Sequence, residues 1–416
     1  MPVDAHTSQG MDSPRVAYVL ATFPSRSETF ALREILSVQR LGLGIIVLAA
    51  NSEPARNAEP NMPPVIYRPP LLGWASLQAV AYIMANYPLG LARLLWLLMK
   101  LARESLTDCA TLASNIHTIC HFTRSLDRQQ VRHVHGYFLS WTGTISLAIA
   151  ALSRRPMSLS SHARDIFVER GAIRTKARSS AFIATCTEQG LARLRELLPA
   201  AEHHKLCLVR HGVETLAQEG DPDGSVPHCQ DKLLYVGRLV SKKGVEHLLR
   251  ALCNVRHIRP TCTLRVIGDG PDRRYLEELA RSLGLDDSVE WYGWMGNSQV
   301  VASMHESTLL VVPSVIDVDG DRDGVPNVIL EAFACGLVVV ASQLPGIAEA
   351  VKHGETGCLA IPGSPSDLSA AISRLLNDVS ERRRLSRNAK ALLEQEFNLS
   401  RNTAAMAKLL RTHAVE

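Results

Sequence analysis

The chain has 416 residues, long enough for two domains that each bury a core. With 46% hydrophobic and 21% charged residues it has the composition of a folded globular protein, which excludes a disordered one. A formal net charge of only +4 gives no electrostatic case for a nucleic-acid partner.

The nine Cys include no CxxC pair and mostly sit in apolar runs, which predicts reduced, buried thiols in a reducing compartment. The opening MPVDAHTSQGMDSP is polar and acidic, the opposite of a secretory signal, so a cytoplasmic location is expected. RVAYVLATF (15–23) predicts the first strand. PSRSETFALREILSVQRLG then predicts a helix that Ser27 could cap, with Phe30, Ile35 and Val38 inward. IIVLAA (45–50) predicts the second strand. This β–α–β start implies a doubly wound domain with a ligand edge at residues 23–28.

Residues 71–102 are the most apolar part of the chain, inside a helical segment taken as 71–125. A membrane span needs about 20 consecutive apolar residues. Gln78, Asn86, Pro88 and Arg93 interrupt the run, so two shorter helices are predicted. Leu91, Leu94, Leu95 and Leu98 would line one face, with Arg93, Lys100 and Arg103 elsewhere. Ordinary core helices and a surface resting in a headgroup layer both satisfy this pattern.

VRHVHGYFLSWTGTISLAIAALS (131–153) reads as strand, loop and helix, and PMSLSSHARDIF (156–167) as strand then loop. His135 and His162 thus fall just past strand ends, at the edge where ligands of such sheets collect. Two further strands complete a first domain over residues 1–216. AQEGDPDGSVPHCQD (217–231) is rich in Asp, Gly and Pro and reads as a linker. The second domain (232–395) opens with a strand running into Gly237, Arg238 and a Lys242-Lys243-Gly244 turn, which suits a diphosphate. Gly268-Asp269-Gly270 is no dinucleotide fingerprint, because Arg273 stands where the third Gly belongs.

The densest signal is LLVVPSVIDVDGDRDGVPNVILEAFACGLVVVAS (309–342): strand, acidic loop, helix and strand. Pro326 suits the helix start, and Gly336 sits where a left-handed cap is wanted. The backbone around Gly324, Val325, Pro326 and Asn327 would face a phosphate at the helix start. Glu331 is wedged among apolar residues, where a charge needs a partner. Asp317, Asp319, Asp321 and Asp323 invite a calcium reading, but the twelfth loop position is Leu330 and Pro326 lies inside the loop, so no metal is expected. The last segment, 396–416, reads as an amphipathic helix.

The 309–342 stretch resembles the signature of the family-four retaining glycosyltransferases, with Asp323 and Glu331 in the frame of that family's paired Glu. Pro24 to Phe30 resembles the opening of the members that assemble exopolysaccharides. Ser161 to Phe167 is similar to the family's His-Ala-x-Asp-Ile-Phe segment, and the Val-Gly-Arg-Leu…Lys-Gly run ending in Lys243-Gly244 is likewise close. The resemblance spans most of residues 15–410. It implies an α/β fold of the GT-B type: two Rossmann-like doubly wound domains facing across a cleft, with the C-terminal helix crossing back to the first. It implies a catalytic set of His162, Asp323 and Glu331, Glu331 also holding the donor ribose. Gly237, Arg238, Lys243, Gly268 and residues 324–327 would bind the donor. Ser27, Glu28 and His135 would lie on the acceptor side. No cofactor is implied, the substrate being a nucleotide diphosphate sugar. The implied partners are that donor, a saccharide or lipid-linked saccharide acceptor and the inner-membrane surface, with no nucleic acid. An epimerase or phosphorylase of the same architecture and a decayed peripheral-membrane scaffold are the alternatives. Asp323, one methylene shorter than the family's usual Glu, motivates the last.

Overall fold

The computed structural model describes residues 15–25, 28–53, 61–169, 171–214 and 231–415. Ser27, assigned to the acceptor side, and most of the expected linker lie outside the described residues.

Apolar runs of four to eight residues are buried on both faces, as strands of parallel sheets must be. The first sheet contains β1 (Arg15–Thr22), β2 (Gly44–Asn51), β3 (Val65–Tyr67), β4 (Val131–Gly136), β5 (Met157–Ser161), β6 (Ser180–Thr185) and β7 (Leu206–Leu208). Its order is β3-β2-β1-β4-β5-β6-β7, every pair parallel. The second contains β8 (Lys232–Val236), β9 (Thr263–Ile267), β10 (Val289–Gly293), β11 (Leu309–Val312), β12 (Val338–Ser342) and β13 (Cys358–Ala360), in the order β10-β9-β8-β11-β12-β13, again all parallel. Both orders reverse direction once, between β1 and β4 and between β8 and β11. In such sheets the ligand crevice lies outside the carboxyl ends of the strands at that switch point.

The helix Asn327–Ala334 follows β11 as expected, with Pro326 as its N-cap residue rather than inside the first turn. It ends at Gly336, whose φ of +73° only glycine adopts cheaply. The C-terminal helix Leu399–Val415 crosses back onto the first domain. Met406, Ala407, Leu410 and Ala414 are buried there with Val16, Tyr18 and Phe182. A parallel bridge between Val213 and Asn398 pins the crossing.

The apolar segment 71–128 forms four helices, Trp74–Asn86, Pro88–Glu104, Leu106–Ser114 and Ile116–Arg128. No helix among the described residues is long and apolar enough to cross a membrane. The inward face of Pro88–Glu104 differs from the one expected: Leu94, Leu97 and Leu101 are buried, Leu91 and Leu98 pack at their flanks, and Leu95 is 61% exposed. A 3.6-residue period permits either stripe; contact with the helix Trp141–Ser153 selects this one. Arg93 also points inward, its guanidinium donating to the Leu152 carbonyl at 3.0 Å. Of the nine Cys, eight are described; all eight are free, and only Cys120, Cys262, Cys335 and Cys358 are fully buried.

Candidate active site

The turn after β8 and the loop after β11 meet at the second switch point. The turn Ser241–Lys243 is tied to that loop by the Val315 amide donating to the Lys242 carbonyl at 2.8 Å. Lys243 Nζ lies 2.7 Å from Asp323 Oδ2, and Lys242 Nζ lies 3.0 Å from Asp321. Ser314 Oγ donates to the same Asp323 oxygen at 2.6 Å. Burial alone would raise the Asp323 pKa; the two lysines and these hydrogen bonds outweigh it and hold the carboxyl below its ordinary value. The acidic loop thus meets the basic turn directly: Asp317 accepts from Ser241 Oγ, and Asp319 accepts from the Asp321 amide.

Gly237 and Gly268 lie under this turn. A Cβ on Gly268, whose φ is +141°, would meet the Gly237 carbonyl oxygen at 1.8 Å, so the ends of β8 and β9 come together only without side chains. Arg238 is exposed at the carboxyl end of β8. Glu28 of the first domain faces it: burial raises the Glu28 pKa and the Arg238 charge opposes the rise. Glu28, expected on the acceptor side, is therefore within electrostatic reach of Arg238, expected on the donor side.

Gly324 packs across the cleft, where a Cβ would come 3.2 Å from Thr187 Cγ2 of the first domain. Val325 and Pro326 are half-buried, and the buried Asn327 Oδ1 at the helix start has no hydrogen-bond partner among the described residues. One turn on, Glu331 finds the partner its apolar surroundings require: Arg33 Nη2 of the first domain, at 2.6 Å. Arg33 reaches Asn297 Oδ1 as well, at 3.3 Å.

On the first-domain side, His162 is the N-cap residue of the short helix Ala163–Phe167. Its amide donates to Asp165 Oδ2 at 3.0 Å. Its ring packs against Phe30, Phe138 and Tyr137, and its Nε2 is 3.3 Å from His211 Nε2. Burial, with His211 and His135 nearby, drives the His162 pKa well below its ordinary value, and burial takes His211 down to about 4. Both rings are neutral at physiological pH. His135 is a correction. It is wholly buried in β4, its two ring nitrogens 2.8 and 3.0 Å from the hydroxyls of Ser158 and Ser160 on β5. It is a core histidine satisfied by its neighbouring strand, with no exposed surface to offer a ligand.

Three cross-domain contacts lay beyond sequence reasoning. Glu349 accepts from Arg210 Nη1 at 2.5 Å and from the Glu188 and Gln189 amides at 2.9 and 3.0 Å. Those amides open the helix Glu188–Leu197, where a carboxylate is favoured. Arg164 Nη1 lies 3.1 Å from Asp321, and Arg33 pairs with Glu331. Glu331, Asp321 and Arg164 lie in stretches that the sequence singled out; Arg33, Arg210 and Glu349 carried no local signal.

Residues 221–392 match the family model of the group 1 glycosyl transferases. The second domain is thus similar throughout to the group 1 glycosyl transferases. It holds the Lys242–Lys243 turn and Glu331. The chain is 32% identical to a glycogen synthase of Mycobacterium tuberculosis over 178 residues, 43% of this chain and 42% of that protein. It is 29% identical over 211 residues to WcaL of Salmonella typhimurium, a putative colanic acid biosynthesis glycosyltransferase, 50% of this chain and 51% of that protein. The chain thus spans about half or less of these relatives' length. The second domain and the first together follow HepE of Anabaena, solved with UDP-glucose, with a TM-score of 0.72 at 17% identity over 96% of this chain and 99% of that one. WaaG, a glycosyltransferase of lipopolysaccharide biosynthesis, gives a TM-score of 0.64 at 16% identity over 95% and 99%. The fold is GT-B.

Proposed function

We propose that the chain is a retaining glycosyltransferase that moves a sugar from a nucleotide diphosphate donor to a saccharide acceptor during synthesis of an exopolysaccharide or other cell-surface polysaccharide. The observation that carries this reading is the convergence, at the switch-point crevice of the second domain, of the Lys242–Lys243 turn, the helix start at Asn327 and Glu331. Two of these groups are held by protein counterparts that stand where part of the donor would bind. Arg33 occupies the Glu331 carboxylate that would accept ribose hydroxyls, and Asp323 occupies the Lys243 ammonium that would meet a phosphate. Donor entry exchanges these partners. As the sugar–phosphate bond breaks, negative charge grows on the diphosphate, and Lys243, Arg238 and the helix-start amides stabilise it. These positive groups make a metal unnecessary for the transfer. His162 is neutral and fixed by its cap, so it serves as a hydrogen-bonding partner of the sugar rather than as a cation.

The resemblance to WcaL, a putative colanic acid glycosyltransferase, and to the lipopolysaccharide enzyme WaaG in fold supports a glycan acceptor. Leu89, Leu95, Trp96 and Met99 are between 54% and 76% exposed on one helix, with Lys100 beside Trp96, which supports docking of the protein on the anionic inner face of the cytoplasmic membrane. A lipid-linked acceptor would then arrive from the bilayer. The test is turnover of a panel of nucleotide sugars with and without membrane lipid, with the product's anomeric configuration read by NMR. Transfer with the donor's anomeric configuration is expected. An inverted product rejects the retaining mechanism, an isomerised donor without acceptor points to an epimerase, and no turnover of any donor leaves a scaffold.

A further inference from the structure

We infer that His162, His211 and Cys186 form a binding site for a divalent cation that prefers nitrogen and sulfur ligands, zinc above all. One ligand atom from each of the three side chains lies within 4.8 Å of the others. The two Nε2 atoms are 3.3 Å apart. Two imidazoles bound to one tetrahedral zinc at about 2.0–2.1 Å each would be about 3.3 Å apart as well.

The surroundings hold the rings in this attitude. Phe30 stacks on His211 with centroids 4.5 Å apart and 22° between planes, and Phe138 lies 4.6 Å from His162. Cys186 follows the last residue of β6, so its backbone is fixed by the sheet. The other nitrogen of His162, Nδ1, is buried without a hydrogen-bond partner and lies 3.9 Å from Asp165 Oδ2. At 3.9 Å this is no hydrogen bond, but Asp165 is the nearest carboxylate to the nitrogen that a metal-bound imidazole would turn away from the metal. Coordination needs a thiolate, and burial pushes the Cys186 thiol up to about 12, so the incoming cation must displace its proton to solvent, while the two imidazoles bind as they are and a fourth position is left for water. The acidic loop 317–323 offers no competing cluster of this kind among the described residues.

Occupancy would take His162 away from the donor sugar, so zinc should suppress transfer. That consequence rests on the proposed donor-side role of His162; the binding itself does not. The test is titration of the full, metal-free chain with cobalt(II), then with zinc. One equivalent of cobalt should give intense tetrahedral d–d bands and a thiolate charge-transfer band. Cys186→Ser should lose the charge-transfer band, His211→Ala should weaken binding at least about tenfold, and Cys207→Ser should change neither. Thermal melts matching the parent establish that each variant is folded, with Cys186→Ala replacing a serine variant that is not. No stoichiometric binding, or a charge-transfer band that survives at position 186 as Ser or Ala, overturns the site. Zinc should also lower turnover reversibly under chelation, and not in the Cys186 variant. Cobalt binding without inhibition removes the donor-side role of His162 and leaves the site standing.

Discussion

At the scale of single residues, Glu331 shows what a sequence can and cannot disclose. A carboxylate inside VILEAFAC had to have a partner, and that much was legible. Its partner Arg33 was not, because it lies 298 positions away, on a predicted helix of which only Phe30, Ile35 and Val38 were read as inward. Glu331→Gln replaces a carboxylate acceptor by an amide and should weaken donor affinity by on the order of 1–3 kcal/mol. Calorimetry finding nucleotide affinity unchanged would take Glu331 out of the site. Glu34 was invisible for a different reason: it looks like any solvated helix acid. Burial, opposed by hydrogen bonds from Tyr137 and Tyr18, raises its pKa from 4.5 to about 7. Below 4.5 neither folded nor unfolded chain is charged there; between 4.5 and about 7 only the unfolded chain ionises, so stability is lost as pH rises through that window. Glu34→Gln abolishes this loss. The melting temperature of the variant relative to the parent should therefore climb between about pH 5 and about pH 8, by an amount equivalent to roughly 1–3 kcal/mol. A difference that stays flat with pH would show that Glu34 ionises normally. His135 carries the opposite lesson, since its place near a strand end said nothing about which of its neighbours used its nitrogens.

At the scale of elements, strands and the helix after β11 were readable because burial on two faces leaves an unbroken apolar run, and because Pro326 and Gly336 mark the ends of the helix. Strand β3, of three residues, was too short to carry such a run. The helix Pro88–Glu104 was found but its inward face was misplaced. Leucine occupies nearly every turn on two sides, so the hydrophobic period fits more than one stripe. The observed faces separate two experiments. Leu97→Ala removes a buried side chain and should cost about 2–5 kcal/mol of stability. Replacing the exposed Leu95, Trp96 and Met99 together by Ser should leave the melt and nucleotide binding near parent values while abolishing flotation with anionic vesicles. A parent chain that never floats sinks membrane docking, and a triple variant that unfolds shows these residues to be core.

At the scale of the whole molecule, alternation of strands and helices announced two doubly wound sheets, and the return crossing of the C-terminal helix was implied by the family resemblance alone. How the sheets are held against one another was not readable, because it depends on pairs such as Arg210 with Glu349, 139 positions apart and on different domains. That pair is the best supported of the cross-domain contacts: the two side chains are only 14% and 12% exposed, and the carboxylate also caps the helix Glu188–Leu197. Replacing Glu349 by Ala leaves two helix-start amides unmatched and Arg210 with only its longer contacts to Glu188 and Glu396. The cost should reach on the order of 1–3 kcal/mol, below the roughly 3–5 kcal/mol of a fully buried pair because water can reach the site. The covalent link and the C-terminal helix remain, so the domains should loosen rather than part. Small-angle scattering of Glu349→Ala should show a larger radius of gyration than the parent, and saturating donor should bring the two closer by bridging the crevice. An unchanged radius together with an unchanged melt would mean that the remaining contacts, Arg33 with Glu331 and Arg164 with Asp321, hold the cleft closed unaided. Double variants that add Arg33→Ala would then locate the clasp.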